Sequence, residues 1–203
     1  MKVFKIKPDF GFQSFFSSDP NGPESSVPGP FPSGKPMLST WTPLPMYVHK
    51  PMLERGNFAH FWGCSGKLII DSRVREALGV ILAGTCELLP LLPYKGEVFH
   101  VMNVLECVDC LDEKKTRWRI GKSTGKKIGI DEYHFAPDRF SKSTLFMLPK
   151  GAAPLTVTGL GAPESEFKTI VEREGLTGLK FEEIWSEGGP PIQAKSLLER
   201  ALG

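Results

Sequence analysis

Ile120-Gly121-Lys122-Ser123-Thr124 carries the Gly-Lys-Ser end of a phosphate-binding loop. The complete loop needs a glycine five positions before Gly121, where Thr116 stands, and a following helix whose N–H groups face the phosphates. Here the next residues read as a strand, so nucleotide binding is not expected. Gly159-Leu160-Gly161 follows a strand-like Leu155-Thr156-Val157-Thr158, as dinucleotide sites do, but Glu164 takes the place of the third glycine and would repel a pyrophosphate. Cys107 and Cys110 have the spacing of two thiolate ligands to one tetrahedral ion. No second cysteine or histidine pair completes such a site, and the pair ends a strand-like run, away from the helix N-terminus that would lower a thiol pKa. Buried, reduced cysteines are the expectation. His49, His60, His100 and His134 are scattered, without the i, i+4 spacing that sets two imidazoles on one helix face. No Gly-x-Ser-x-Gly elbow occurs. Asp131-Glu132 and Glu182-Glu183 would point to opposite sides of a strand, so neither makes a two-carboxylate site. No catalytic, cofactor or metal site is expected.

Charge placement is more informative. Lys114, Lys115, Arg117, Arg119, Lys122, Lys126 and Lys127 fall in one stretch without an acidic residue, with Trp118 among them. That interleaving suits a nucleic-acid contact, although lysines on a solvated hairpin that discourage edge pairing explain it better. Glu164–Glu187 holds seven carboxylates against three cations, so a basic and an acidic patch are expected on one molecule. The net charge is +2, which gives no general pull towards nucleic acid or anionic membrane. At 203 residues the chain fits one domain, and four cysteines are too few for a disulfide scaffold. No apolar run spans a membrane, and Met1–Lys7 lacks the apolar stretch of a signal peptide, so a soluble cytoplasmic protein is expected.

The elements follow from pattern. Lys2–Lys7 reads as an alternating, half-buried strand. Residues 8–52 hold ten of the eighteen prolines, which argues against helix or central strand; Phe10, Phe12, Phe15, Phe16, Phe31, Trp41 and Tyr47 suggest an arm packed over the domain, with Ser17–Lys35 as its least ordered portion. Regular structure is expected to resume at Gly66–Ile70. A helix then follows, capped by Asp71 or Ser72, with Val74, Ala77, Leu78 and Ile81 as its stripe and Gly84 near its end. Strands are expected at Cys86–Leu89 and Val98–Cys110, a hairpin at Thr116–Ile120 and Lys127–Ile130, and strands at Tyr133–Phe135 and Thr144–Leu148. A helix from Pro163 to Gly175, a strand at Leu179–Trp185 and a helix at Ala194–Leu202 complete the chain. Strands follow strands through the middle, so the fold class is α+β: a mainly antiparallel sheet with a few flanking helices and a Pro-rich N-terminal arm.

Phe99–Asp112 resembles the central motif of a bacterial immunity-protein family: an apolar strand, Asn103-Val104-Leu105, then Val108-Asp109-x-Leu111-Asp112. Gly175-Leu-Thr-Gly178-Leu-Lys-Phe181-Glu182 is similar to the family's closing segment. Ile130–Phe146 and Leu68–Leu78 also look like its strands and helix. The family is the myxobacterial-type one of polymorphic toxin systems, numbered eleven among the immunity families. The resemblance covers residues 60 to 187 and leaves out the arm and the last helix. It implies a cytoplasmic antidote that binds a cognate protein toxin, with no cofactor and no catalytic residue. Asn103, Asp109 and Asp112 are expected to serve the fold. Interface anchors are commonly Trp, Tyr and Arg, so the expected contacts are Trp41 and Tyr47 on the arm, or Arg117, Trp118 and Arg119 on the hairpin. The alternatives are a nucleic-acid-binding module using residues 114–127, and an enzyme built on His100, Cys107 and nearby carboxylates.

Overall fold

The computed structural model describes residues 1–17, 34–62, 67–149, 151 and 153–192. Cys64, Phe31 and the expected Ala194–Leu202 helix lie outside them, as does nearly all of Ser17–Lys35. The described residues form two α-helices and three sheets, antiparallel in all but one pairing, an α+β fold.

The first sheet joins β1 (Lys2–Pro8), β10 (Leu145–Phe146), β11 (Leu155–Thr158) and β12 (Leu179–Ser186) in the order β10-β11-β1-β12. Val3 and Phe4 are both buried, so β1 is an interior strand covered on both faces, not the half-solvated strand that its lysines suggest. Lys2 and Lys7 are accommodated by ion pairs with Glu183 and Glu182 of β12.

The second sheet runs β3 (Tyr47–His49), β2 (Ser14–Phe16), β4 (Phe58–Trp62), β5 (Leu68–Ile70), β7 (His100–Val104) and β6 (Cys86–Pro90). Regular structure therefore begins well before Gly66. The arm supplies β2, an interior strand, because Ser14-Phe15-Phe16 sits in a proline-free window and can donate to both neighbours. The expected strand to Cys110 stops at Val104. There the N–H groups of Leu105 and Glu106 both turn to the carbonyl of Thr85, the last residue of α1 (Ser72–Thr85). Beyond it Cys107 and Leu111 make single bridges to Met147 and Phe135, so Tyr133–Phe135 is not a strand either.

Asp71 caps α1, its Oδ1 accepting from the Val74 N–H at 3.0 Å. Val74, Leu78 and Leu82 bury one stripe of α1, and Phe167, Ile170 and Val171 do so for α2 (Phe167–Arg173). Both pack with Phe58, Ile70, Met102 and Ile6 into one core. α2 starts later than Pro163 suggests: residues 163–165 form a 3-10 turn, and buried Glu166 accepts from the Gly159 N–H at 2.6 Å rather than capping the helix. A second core on the opposite side of the six-stranded sheet holds Phe15, Phe61, Ile69, Leu89, Phe99 and Val101, with Met37, Trp41 and Leu44 of the arm packed against it. A third core, around Val3, Cys110, Phe135, Phe146 and Val157, lies beneath the last sheet, the hairpin of β8 (Arg117–Ile120) and β9 (Lys127–Glu132).

The Gly175–Gly178 segment ties the two large sheets together. Gly175 takes the left-handed conformation that stops α2, at φ +61°. The Phe58 N–H donates to Thr177 O at 2.9 Å, and the Asp9 N–H to Gly178 O at 2.9 Å. A Cβ on Gly178 would stand 1.9 Å from the Phe58 carbonyl oxygen, so only glycine fits.

Candidate interaction surface

Register sets Tyr47 opposite Phe16, and Phe16 opposite Trp62, in an aromatic row across β3, β2 and β4. Alternation puts this row on the same sheet face as His60 and Phe58. Phe58 is covered by the helices, whereas Trp62 and Tyr47 remain exposed. Phe10 stacks on Trp62 with ring centroids 5.9 Å apart and is itself 50% exposed. His60 meets Trp62 edge to face at 4.3 Å, and burial lowers its pKa. The Trp62 indole N–H donates to Ser14 Oγ at 3.0 Å, and Ser14 Oγ also bonds His49 Nδ1 at 3.1 Å. This Ser–His contact is not a nucleophile and its base, because the hydroxyl is buried and already engaged by Trp62. Trp62 and His60 were legible as a pair in the alternation of Phe58-Ala59-His60-Phe61-Trp62, which sequence reading passed over.

Trp41 lies on the other side of the sheet. It packs against the second core and its indole N–H donates to Pro90 O at 2.7 Å. The arm is held beside it by a polar cluster. Buried Asn103 accepts from Lys67 Nζ at 2.9 Å and donates to Lys35 O at 3.0 Å and to Glu87 at 3.3 Å. Glu87 in turn accepts from the N–H groups of Met37 and Leu38 at 2.6 and 2.8 Å. Burial alone would raise the Glu87 carboxyl, but these donors hold it below its usual value.

The hairpin is less basic than its sequence. Arg119 pairs with Asp131, Arg117 with Glu132, Lys115 with Asp112 and Lys127 with Glu113. Trp118 packs on the third core with Lys127 Nζ 3.9 Å from its ring centroid. The structure thus places Trp41 on one core, Tyr47 on the exposed row, and Arg117, Trp118 and Arg119 on the separate hairpin. The expected acidic patch is likewise drawn into pairs: Glu182 and Glu183 with Lys7 and Lys2, Glu172 with Lys168, and Glu187 with the N-terminal amine.

Cys110 is buried, with its thiol pushed up to about 12 by that burial, and burial takes Cys86 to about 11. Cys107 is exposed, contrary to expectation, because the chain has left the strand before it; burial first, then Asp109 and Glu106, raise its thiol too. None is activated for nucleophilic or redox work. Among the described residues no group of three or more His, Cys, Asp or Glu is placed to hold a metal ion, and no helix is long and apolar enough to cross a membrane.

No curated protein matches the chain. The model of an immunity protein family, Imm11, matches residues 22–186, and so takes in much of the arm that the motifs alone left out. A match over most of the chain, joined to an α+β fold whose closing Gly-Leu-Thr-Gly motif locks its two large sheets together, shows that the chain belongs to the Imm11 immunity protein family, and membership implies toxin neutralisation.

Proposed function

We propose that this protein is a cytoplasmic antidote that binds its cognate toxin directly and stoichiometrically, without catalysis, and occludes the toxin's active site. The observation that carries the reading is the aromatic row in which Tyr47 and Trp62 are exposed, Phe16 lies half-buried between them and Phe10 stacks on Trp62. Large, rigid aromatics bring much contact area at little entropic cost, and interface hot spots are enriched in them. Trp41 acts here by holding the arm that carries Tyr47, while Tyr47 makes contact. Recognition of nucleic acid is the weaker reading, because four of the hairpin's cations are paired with carboxylates.

Alanine at Tyr47 is expected to weaken toxin binding by about 2 kcal/mol, roughly thirtyfold, with the melting temperature nearly unchanged, and alanine at Trp62 to do the same with a lowered melting temperature, because Trp62 also holds Phe10, His60 and Ser14. Titration of the toxin with each folded variant checks this. Affinities equal to that of the wild type would remove the aromatic row from the interface.

A further inference from the structure

The hairpin's tip differs from its base. At the base, Lys115, Arg117, Arg119 and Lys127 are paired with Asp112, Glu132, Asp131 and Glu113, while Lys114 has no such pair among the described residues. At the tip, Lys122 and Lys126 have no carboxylate within ion-pair distance among the described residues. Ile120 and Ile128 flank them, 51% and 62% exposed. The loop between is ordered by its own bonds: the N–H groups of Thr124 and Gly125 donate to Gly121 O, that of Gly121 to Lys126 O, and that of Lys126 to Thr124 Oγ1. Gly125 supplies the left-handed turn at φ +63°. The molecule therefore presents a preformed finger, cationic at its end and apolar on its flanks.

We propose that this tip inserts into an acidic, apolar-rimmed cleft of the toxin. The inference rests on the antidote reading and names the chemistry of its partner. Charge complementarity selects the occupant: two unpaired lysines steer towards carboxylates, and a preformed loop loses little entropy on docking. Nucleic acid fits the tip less well. Trp118 cannot serve as a stacking platform while Lys127 covers its ring and the third core holds it, and the N–H groups of Gly121, Thr124, Gly125 and Lys126 are spent within the loop instead of facing phosphates. A second copy of the chain offers fewer carboxylates than its composition suggests, since Glu182 and Glu183 are engaged by Lys7 and Lys2. A toxin whose cleft is basic would repel the tip.

The test is titration of the full chain with the product of the adjacent gene, made by cell-free synthesis, across a range of salt. Wild type is expected to bind, Lys122→Glu/Lys126→Glu to bind roughly a hundredfold more weakly with a shallower salt dependence, and Ile120→Ser/Ile128→Ser roughly tenfold more weakly. Their melting temperatures should match that of the wild type, because all four side chains sit at the tip; Lys122→Ala/Lys126→Ala gives the same reading should charge reversal perturb the fold. Binding by every variant as tight as wild type would overturn the tip contact and leave the antidote reading intact. Failure of the wild type itself to bind would overturn the antidote reading, and this inference with it. Lysine-dependent binding of a short single-stranded RNA, or a lysine-dependent dimer in place of a toxin complex, would overturn the inference in favour of those occupants.

Discussion

Asn103 shows what a buried amide does when it is fully used. Its carbonyl accepts from Lys67, and its amino group reaches both Lys35 O and Glu87, so one side chain fastens the arm to the sheet. Asn103→Ala would remove three part-buried hydrogen bonds from one buried position and should cost about 1–2 kcal/mol in denaturant unfolding; a change under about 0.5 kcal/mol would contradict this role. Glu87 adds a pH dependence. A carboxyl with a depressed folded-state pKa stabilises above its unfolded value, and that contribution is lost as pH falls through the folded one. Amide exchange at Met37 and Leu38 should therefore lose protection on acidification through the carboxylate range, and Glu87→Gln should flatten the dependence. Equal protection in both proteins would sink the idea. The sequence already marked Asn103 as a residue that serves the fold, but not what it held, because the Lys35 carbonyl lies 68 positions away.

Elements were legible where pattern and local chemistry agreed. Asp71 or Ser72 before Val74, Ala77, Leu78 and Ile81 announced α1, of which Asp71 is the cap, and the hairpin of β8 and β9 followed from its flanking strands and glycine turn. Misreadings arose where a distant partner decides. Val98–Cys110 has strand composition throughout, yet the Thr85 carbonyl captures the Leu105 and Glu106 N–H groups and ends β7 at Val104. The density of proline hid β2, whose three residues are free of it. Gly178→Ala tests the junction between the sheets: with φ +98° and a carbonyl oxygen 1.9 Å from the new Cβ, roughly 3 kcal/mol or more should be lost in a melt. A neutral result would mean that the sheets are not locked there. By contrast Arg119→Ala, which breaks a half-buried pair with Asp131 on the hairpin, should cost only about 1 kcal/mol.

At the scale of the molecule, much of the charge is interleaved by pairing and not gathered into two separate patches. Lys2 and Lys7 of β1 meet β12 carboxylates, and four of the hairpin's seven cations meet Asp112, Glu113, Asp131 and Glu132. Linear sequence separates these partners, which is why two charged patches were expected. What pairing leaves over is an aromatic row on one face and a cationic tip on the hairpin. Both are features of binding, which agrees with a family of immunity proteins. The row was half legible: Tyr47 stood out as an arm aromatic, but only the parallel pairing of β2 with β4 sets Phe16 beside Trp62. The most direct test of the central claim is to co-express the chain with the toxin candidate encoded beside it, scoring growth and weighing any complex by light scattering. Rescued growth and a complex of fixed stoichiometry are expected. Cells that die despite soluble, folded protein, with no complex for any neighbouring candidate, would contradict it.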